Sequence, residues 1–325
     1  MIYKNLGNTG LKVSSLCMGT MTFGKEADKA TSRKLYSMCR DKGINFFDCA
    51  NVYVGGESEK ILGRLIKKHR EEVVIATKVY FPMGKDVNAR GLSRFHMTKS
   101  LEGSLKRLNT DYIDVYYLHH FDENTPLLET LSTLNDFVRQ GKILYIGISN
   151  FAAWQVMKAI GICQQHNFAP ISCLQPMYNL LKRQCESEIL PMAESEGLGV
   201  FPYSPLAGGL LTGKYQKKAP EEGRFNVNKM YQMRYEQERQ LTTLNAFLDF
   251  AKTNNYHPVS LAIAWAGGHN GVTAPIIGAR SVAQLKPSLD SVDIEMTAEL
   301  RKTIANFSFS PAIATDRTEE LRIKR

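Results

Sequence analysis

The chain has 325 residues, 43% of them hydrophobic and 22% charged, which is enough to bury a sizeable core. Its formal charge is +9, but the basic residues sit in short clusters such as Lys67-Lys68 and no nucleic-acid-binding motif type accompanies them. No run approaches the ~20 apolar residues a membrane span requires, and the start MIYKNLGNTG has no apolar signal-peptide core.

In chain order, residues 3–13, ending in GNTGLKV, read as a short hairpin. SLCMG (15–19) follows as a strand, then a helix that starts near Thr31-Ser32, buries Leu35, Met38 and Cys39, and stops at Gly43. Further apolar, β-rich runs are NFFDC (45–49), VVIATK (73–78), YIDVYYL (112–118) and ILYIGI (143–148). ISCLQ (171–175), LGVFPY (198–203) and VTAPIIG (272–278) complete the set. Between them lie segments of helical period. One takes Thr125 as cap and Pro126 in its first turn, places Leu127, Leu131, Leu134 and Val138 on one face, and ends at Gly141.

Strand starts at 45, 73, 112, 143, 171 and 198 are spaced by 28, 39, 31, 28 and 27 residues, the length of successive βα units. Eight such strands predict a closed (β/α)8 TIM barrel behind an N-terminal hairpin, with extra helices in the long interval after 198. No GxGxxG follows a strand, which argues against an open dinucleotide-binding sheet. No linker composition interrupts the chain, so one barrel domain over 1–325 with a charged tail at 309–325 is expected. The six cysteines lie scattered, with no CxxC pair, as in reduced thiols of a cytoplasmic protein.

Barrel chemistry sits at the C-terminal strand ends. Read in order, these are Asp48, Lys78, His119, Ser149-Asn150, Gln175, Tyr203-Ser204 and Gly278. Each alone has a structural explanation, such as a snorkelling lysine or a hydrogen-bonded core histidine. Together, on neighbouring strands, they form a site. Asp48 can keep a desolvated Lys78 charged, and Tyr53, five residues further on, can point its hydroxyl at the same ammonium. A nearby cation lowers a phenol's pKa and makes it a better proton donor, while His119 can hydrogen-bond the oxygen that receives the proton. Ser149, Asn150 and Gln175 can hold a carboxamide, and Tyr203 offers a face for stacking. Gly278 and Arg280, before a helix N-terminus, suit a phosphate. These are the groups a nicotinamide dinucleotide needs, and the arginine points to a 2′-phosphate.

At this point the sequence resembles the aldo-keto reductase family, most closely its aryl-alcohol-dehydrogenase-like and potassium-channel β-subunit-like branch. The resemblance is carried by FFDCANVYVGGESEKILG, ATK, YIDVYYLHHFD, GISNF, QPMYN, YSPLAGGLLTGKY and IIGARSVAQL, and is strongest over 1–290. It implies reversible NADPH-dependent reduction of an aldehyde or ketone, NADPH being preferred over NADH. Tyr53 would be the general acid, assisted by Lys78, Asp48 and His119. Ser149, Asn150, Gln175 and Tyr203 would hold the nicotinamide, and Ser204, Leu206, Gly208 and Lys214 the pyrophosphate. Gly278, Arg280 and Gln284 would take the adenosine phosphate, with Thr20 and Arg224 as further contacts. Ser288, after Pro287, stands where the branch commonly has asparagine. Of the two adjacent histidines, His119 fits the family's His-x-x-Asp spacing ending in Asp122, which leaves His120 at the pocket rim, either facing substrate or exposed to solvent. An alternative implied by the channel resemblance is an NADP-bound redox-sensing regulatory subunit with slow turnover.

Rival chemistries fit poorly. Gly208, Gly213 and Lys214 resemble a phosphate loop, but Tyr215 replaces the Ser or Thr that would hold magnesium. A glycosidase needs two facing carboxylates, and only Asp48 stands at a strand end. His119 and His120, adjacent on a strand, point opposite ways and do not converge on a metal. The expected partner is a small-molecule carbonyl substrate, with neither nucleic acid nor membrane. Its pocket is expected to draw on Phe23, Tyr80, Phe81, Phe121 and Tyr231.

Overall fold

The structure is a computed structural model that describes residues 1–217, 229–235, 238–315 and 317. An antiparallel hairpin of β1 (Tyr3–Asn5) and β2 (Lys12–Ser14) precedes eight parallel strands. These are β3 (Cys17–Gly19), β4 (Phe46–Asp48), β5 (Val74–Val79) and β6 (Ile113–Leu118), then β7 (Ile143–Ser149), β8 (Ile171–Gln175), β9 (Gly199–Val200) and β10 (Ile276–Ile277). Neighbours pair in chain order, and β10 pairs with β3. The ring closes between β9 and β10, where the Thr273 N–H donates to the Val200 carbonyl at 2.8 Å and the Ile276 N–H to the Pro202 carbonyl at 2.9 Å. The expected (β/α)8 barrel with its hairpin is therefore the observed fold.

The last two strands are shorter than the apolar runs at 198–203 and 272–278 suggest. Pro202 and Pro275 supply no N–H, and the Thr273 hydroxyl takes the Val200 N–H at 2.9 Å, so regular ladder pairing is interrupted there. The hairpin closes the opposite end of the barrel. Leu6 and Val13 join Cys17, Phe46, Val74 and Tyr117 in the inner core, and the Asn8 N–H donates to the Gly197 carbonyl at 2.8 Å. A second, larger apolar shell lies between strands and helices, so both sheet faces are dry and the strands read as near-continuous apolar runs.

Helix α1 (Lys29–Asp41) begins three residues before Ser32. Asp28 caps it by accepting from the Thr31 N–H at 2.7 Å, and its buried face is Ser32, Leu35, Tyr36 and Cys39, with Met38 half-buried. The helix Leu127–Arg139 starts one residue later than expected, because the Thr125 hydroxyl donates to Asp122 instead of capping. The interval after β9 holds helices at Lys229–Tyr235, Glu238–Thr253 and Pro258–Gly267. All six cysteines are free and buried. Among the described residues no helix is long and apolar enough to cross a membrane.

Candidate active site

Period-two alternation places the central charges. Phe46, Ala76 and Cys173 point into the inner core, so the residues two positions on, Asp48, Lys78 and Gln175, also face inward, one layer higher. Register brings them together, with Asp48 opposite Ala76 and Lys78 next along the same face. The Lys78 Nζ stands 2.6 Å from Asp48 Oδ2, 2.6 Å from the Cys49 carbonyl oxygen and 3.2 Å from Tyr53 Oη. Lys78 is 0% exposed. Burial alone would lower its pKa, but Asp48 and Tyr53 hold the ammonium above its ordinary value.

Tyr53 departs from the expectation in one respect. Burial pushes its phenol up to about 12, and the downward pull of Lys78 is smaller than that penalty. The phenol is thus a fully protonated donor at neutral pH, and the ammonium matters most once the proton has left. The phenolate absorbance difference between wild type and Tyr53→Phe should accordingly stay flat through pH ~10, the ordinary tyrosine value. A band appearing between pH ~8 and ~10 would show that the cation prevails over burial.

Burial, then Lys78 and His120, push His119 well below its ordinary value, so its imidazole is neutral. Its Nδ1 is buried and has no hydrogen-bond partner among the described residues. His119 lies edge-on to Tyr53 at 6.0 Å between ring centroids, and both line the cleft. His120 is exposed at the rim, where it stacks on Tyr80 at 5.1 Å and its Nδ1–H donates to the Phe121 carbonyl at 2.8 Å.

The cleft encloses about 680 Å³ and runs from Tyr53 and His119 to Arg280 and Gln284. That volume suits a small molecule or cofactor. Along its floor Tyr203 Oη donates to Asn150 Oδ1 at 2.8 Å, and Asn150 Nδ2 donates to the His119 carbonyl at 2.9 Å. Ser149 Oγ donates to the Gln175 carbonyl at 2.9 Å. Gln175 Nε2 donates to Asp48 Oδ1 at 2.8 Å, which leaves its second N–H and its side-chain oxygen to meet an amide. Strain gathers on these turns. Val54, Asn150, Ser204 and Ala207 adopt φ of 50°, 58°, 59° and 50°, values uncommon outside glycine and concentrated at functional sites. Gly208, at φ +69°, allows Tyr231 to lie against it, since a Cβ there would stand 2.6 Å from that ring.

Ser204, Leu206, Gly208, Lys214, Gly278, Arg280 and Gln284 all line the cleft. Two other sequence candidates are placed differently. Thr20 is fully buried behind the wall, its hydroxyl donating to the Asp48 carbonyl at 3.0 Å and accepting from Ser58 at 2.9 Å. Gly19, Met21 and Thr22 reach the cleft instead. Ser288 is buried with its hydroxyl unpartnered among the described residues, and Pro287 takes the cleft surface. Arg224 lies outside the described residues. Of the aromatic wall, Phe81 and Tyr231 line the cleft, whereas Phe23 is a fully buried core residue and Phe121 packs on Phe151 and Trp154.

Sequence reading missed Arg234 and His257 on the cleft wall. The only signal for His257 was its position before Pro258 at a helix start, where its Nδ1 accepts from the Val259 N–H at 3.2 Å. Arg234 follows an interval with no strand end to mark it. Lys214, Arg234 and Arg280 bring three cationic side chains to the cleft lining, and the Gly278 backbone is open to it, a built Cβ meeting only the Gly19 carbonyl oxygen at 3.7 Å. An anionic dinucleotide with a flat amide-bearing ring fits these donors.

The parallel barrel thus carries Asp48, Lys78, Tyr53 and His119 together at the C-terminal ends of its strands. The family model described as "Aldo/keto reductase family" matches residues 15–308, and the chain belongs to that family. It is 40% identical to an uncharacterized oxidoreductase, YrpG, of Bacillus subtilis (strain 168), over 94% of this chain and 95% of the relative. It is also 37% identical to a probable voltage-gated potassium channel subunit beta of Arabidopsis thaliana, over 90% of this chain and 92% of the relative, and a counterpart in Oryza sativa subsp. japonica shows the same identity.

Proposed function

We propose that the protein reduces an aldehyde or ketone to the alcohol, reversibly, with NADPH as reductant and Tyr53 as general acid. The observation that carries this reading is the Lys78 ammonium 3.2 Å from Tyr53 Oη and 2.6 Å from Asp48 at the cleft wall. Bound NADPH supplies hydride to the carbonyl carbon. The chain's own task is the proton. Tyr53 gives the proton of Oη to the carbonyl oxygen, the O–H bond of the phenol breaks, and the negative charge left on Oη faces Lys78. That attraction grows only as the proton leaves, so it favours the transition state over the ground state. Asp48, held by Gln175, fixes the ammonium. Neutral His119 can orient the carbonyl oxygen without competing for the proton. Solvent then returns a proton to Tyr53.

Ser149, Asn150 and Tyr203 would hold the nicotinamide, and Lys214, Arg280 and Gln284 the phosphates. Arg280→Met is therefore expected to weaken NADPH binding by about tenfold or more and NADH binding far less, as measured by direct titration. Equal weakening would mean that the 2′-phosphate is held elsewhere. The six buried free thiols suit a reducing, cytoplasmic setting. Screening neutral aldehydes, ketones and sugars with both reduced cofactors tests the function itself. NADPH consumed in proportion to added carbonyl supports it, and no consumption with any of them rejects it.

The 37% identity to probable potassium channel beta subunits supports a second reading, a cofactor-bound regulatory subunit. Under it, NADPH binds tightly and is oxidised no more than once per site.

A further inference from the structure

After β5 the chain leaves the barrel at Tyr80 and returns at Leu92. The neck of this loop is closed by the Gly91 N–H donating to the Tyr80 carbonyl at 2.8 Å, and its body by the Met83 N–H donating to the Ala89 carbonyl at 3.0 Å. Asp122, four residues beyond β6, ties that neck to the next loop. Its Oδ2 accepts from the Leu92 N–H at 2.8 Å and from the Thr125 hydroxyl at 2.8 Å, while its Oδ1 accepts from the Asn124 N–H at 3.0 Å. The Leu92 carbonyl in turn accepts from the Thr130 hydroxyl at 3.0 Å. Burial alone would raise the Asp122 pKa, but the hydrogen bonds from Leu92, Thr125 and Asn124 hold the carboxyl below its ordinary range. Gly91 has φ +83°, and a Cβ there would lie 2.6 Å from Asp122 Oδ2, so the close approach of the carboxylate requires glycine.

Tyr80 belongs to the neck, and Phe81 follows it directly. The Phe81 ring stands edge-on to His119 at 4.9 Å and lines the cleft. On the other side the His119 N–H donates to the Val79 carbonyl at 2.9 Å. The strand end that presents His119 therefore also grips, through Asp122, the loop that presents Phe81.

We infer that Asp122 is a positioning residue, which by holding the neck of the 80–92 loop keeps Phe81 against His119 and fixes the apolar wall met by the organic group of the carbonyl substrate. The inference rests on the carbonyl-reductase reading above. An apolar wall contributes to binding the organic group in ground and transition states alike, so its loss appears in KM more than in kcat.

The test compares full-length wild type, Asp122→Ala, Asp122→Asn, Phe81→Ala and the Asp122→Ala/Phe81→Ala double variant, by hydrogen exchange and by kinetics with benzaldehyde. Asp122→Ala should speed exchange at the Leu92 amide and raise KM about tenfold with kcat changed less than about threefold. Phe81→Ala should raise KM similarly, and the double variant should be no worse than Phe81→Ala alone. Asp122→Asn, which keeps acceptor oxygen at the neck, should fall between wild type and alanine. Increases in KM that multiply in the double variant, unchanged exchange at Leu92, or a loss of kcat at constant KM would each overturn the inference. If wild type reduces no carbonyl, the reductase reading fails, and exchange at Leu92 still decides whether Asp122 holds the loop.

Discussion

Tyr53→Phe is expected to lower carbonyl reduction by a factor of about 10² or more while NADPH affinity stays within about twofold of wild type. The substitution removes one hydroxyl and keeps the ring that lies edge-on to His119 at 6.0 Å. Tyr53 is half-buried, and its hydroxyl has Lys78 as hydrogen-bond partner at 3.2 Å. Removing Oη leaves that ammonium still bound to Asp48 and the Cys49 carbonyl, each at 2.6 Å, so the fold tolerates the change. What disappears is the proton proposed to reach the carbonyl oxygen. Steady-state kinetics with a responsive aldehyde, beside a direct cofactor titration, checks both halves. A variant retaining more than about a tenth of wild-type kcat would place the general acid elsewhere.

The second large effect falls on stability. Lys78→Met should cost about 3–5 kcal/mol, because it leaves the Asp48 carboxylate buried without its cation. Gln175 still donates to Asp48 Oδ1 at 2.8 Å, but a neutral amide does not replace a charge. The Lys78 contribution has a defined pH window. Its folded-state pKa lies above the unfolded value, burial being outweighed by Asp48 and Tyr53, so the stabilisation is complete below pH ~10.4 and fades as pH rises through the raised value. The double variant Asp48→Asn/Lys78→Met, which buries no charge, should recover most of the loss. Denaturant unfolding of the three proteins measures this. A single variant within about 1 kcal/mol of wild type would mean that the pair is not the buried, coupled unit described.

Much of this site was legible because two simple periods determine it. Alternation along β4 and β5 puts Asp48 and Lys78 on the inner face, and adjacency of consecutive βα units makes them neighbours. Tyr53 and His119 then follow from reach. Residues whose orientation depends on a turn were less legible. Thr20 follows β3 directly, yet its side chain braces the Asp48 carbonyl from behind, a direction alternation does not supply beyond the strand. Ser288 sits in a helix that presents Pro287 to the cleft, so a shift of one residue exchanges a buried position for a half-buried one on the cleft wall. The net direction of the Tyr53 shift was also beyond sequence reasoning. Charge proximity can be read from spacing, but the depth of burial that outweighs it belongs to the closed barrel. The Asp122 latch illustrates the opposite case, where a spacing noticed only as a way to choose between two histidines turns out to hold a loop.

The central claim is that the buried ammonium acts on carbonyl reduction through the phenol. A double-mutant cycle over Tyr53→Phe and Lys78→Met, with kcat referred to the folded fraction, measures that coupling most directly. The account predicts that the double variant is no slower than Tyr53→Phe alone. Independent losses that multiply would contradict it, since Lys78 would then serve the reaction by a route that bypasses Tyr53.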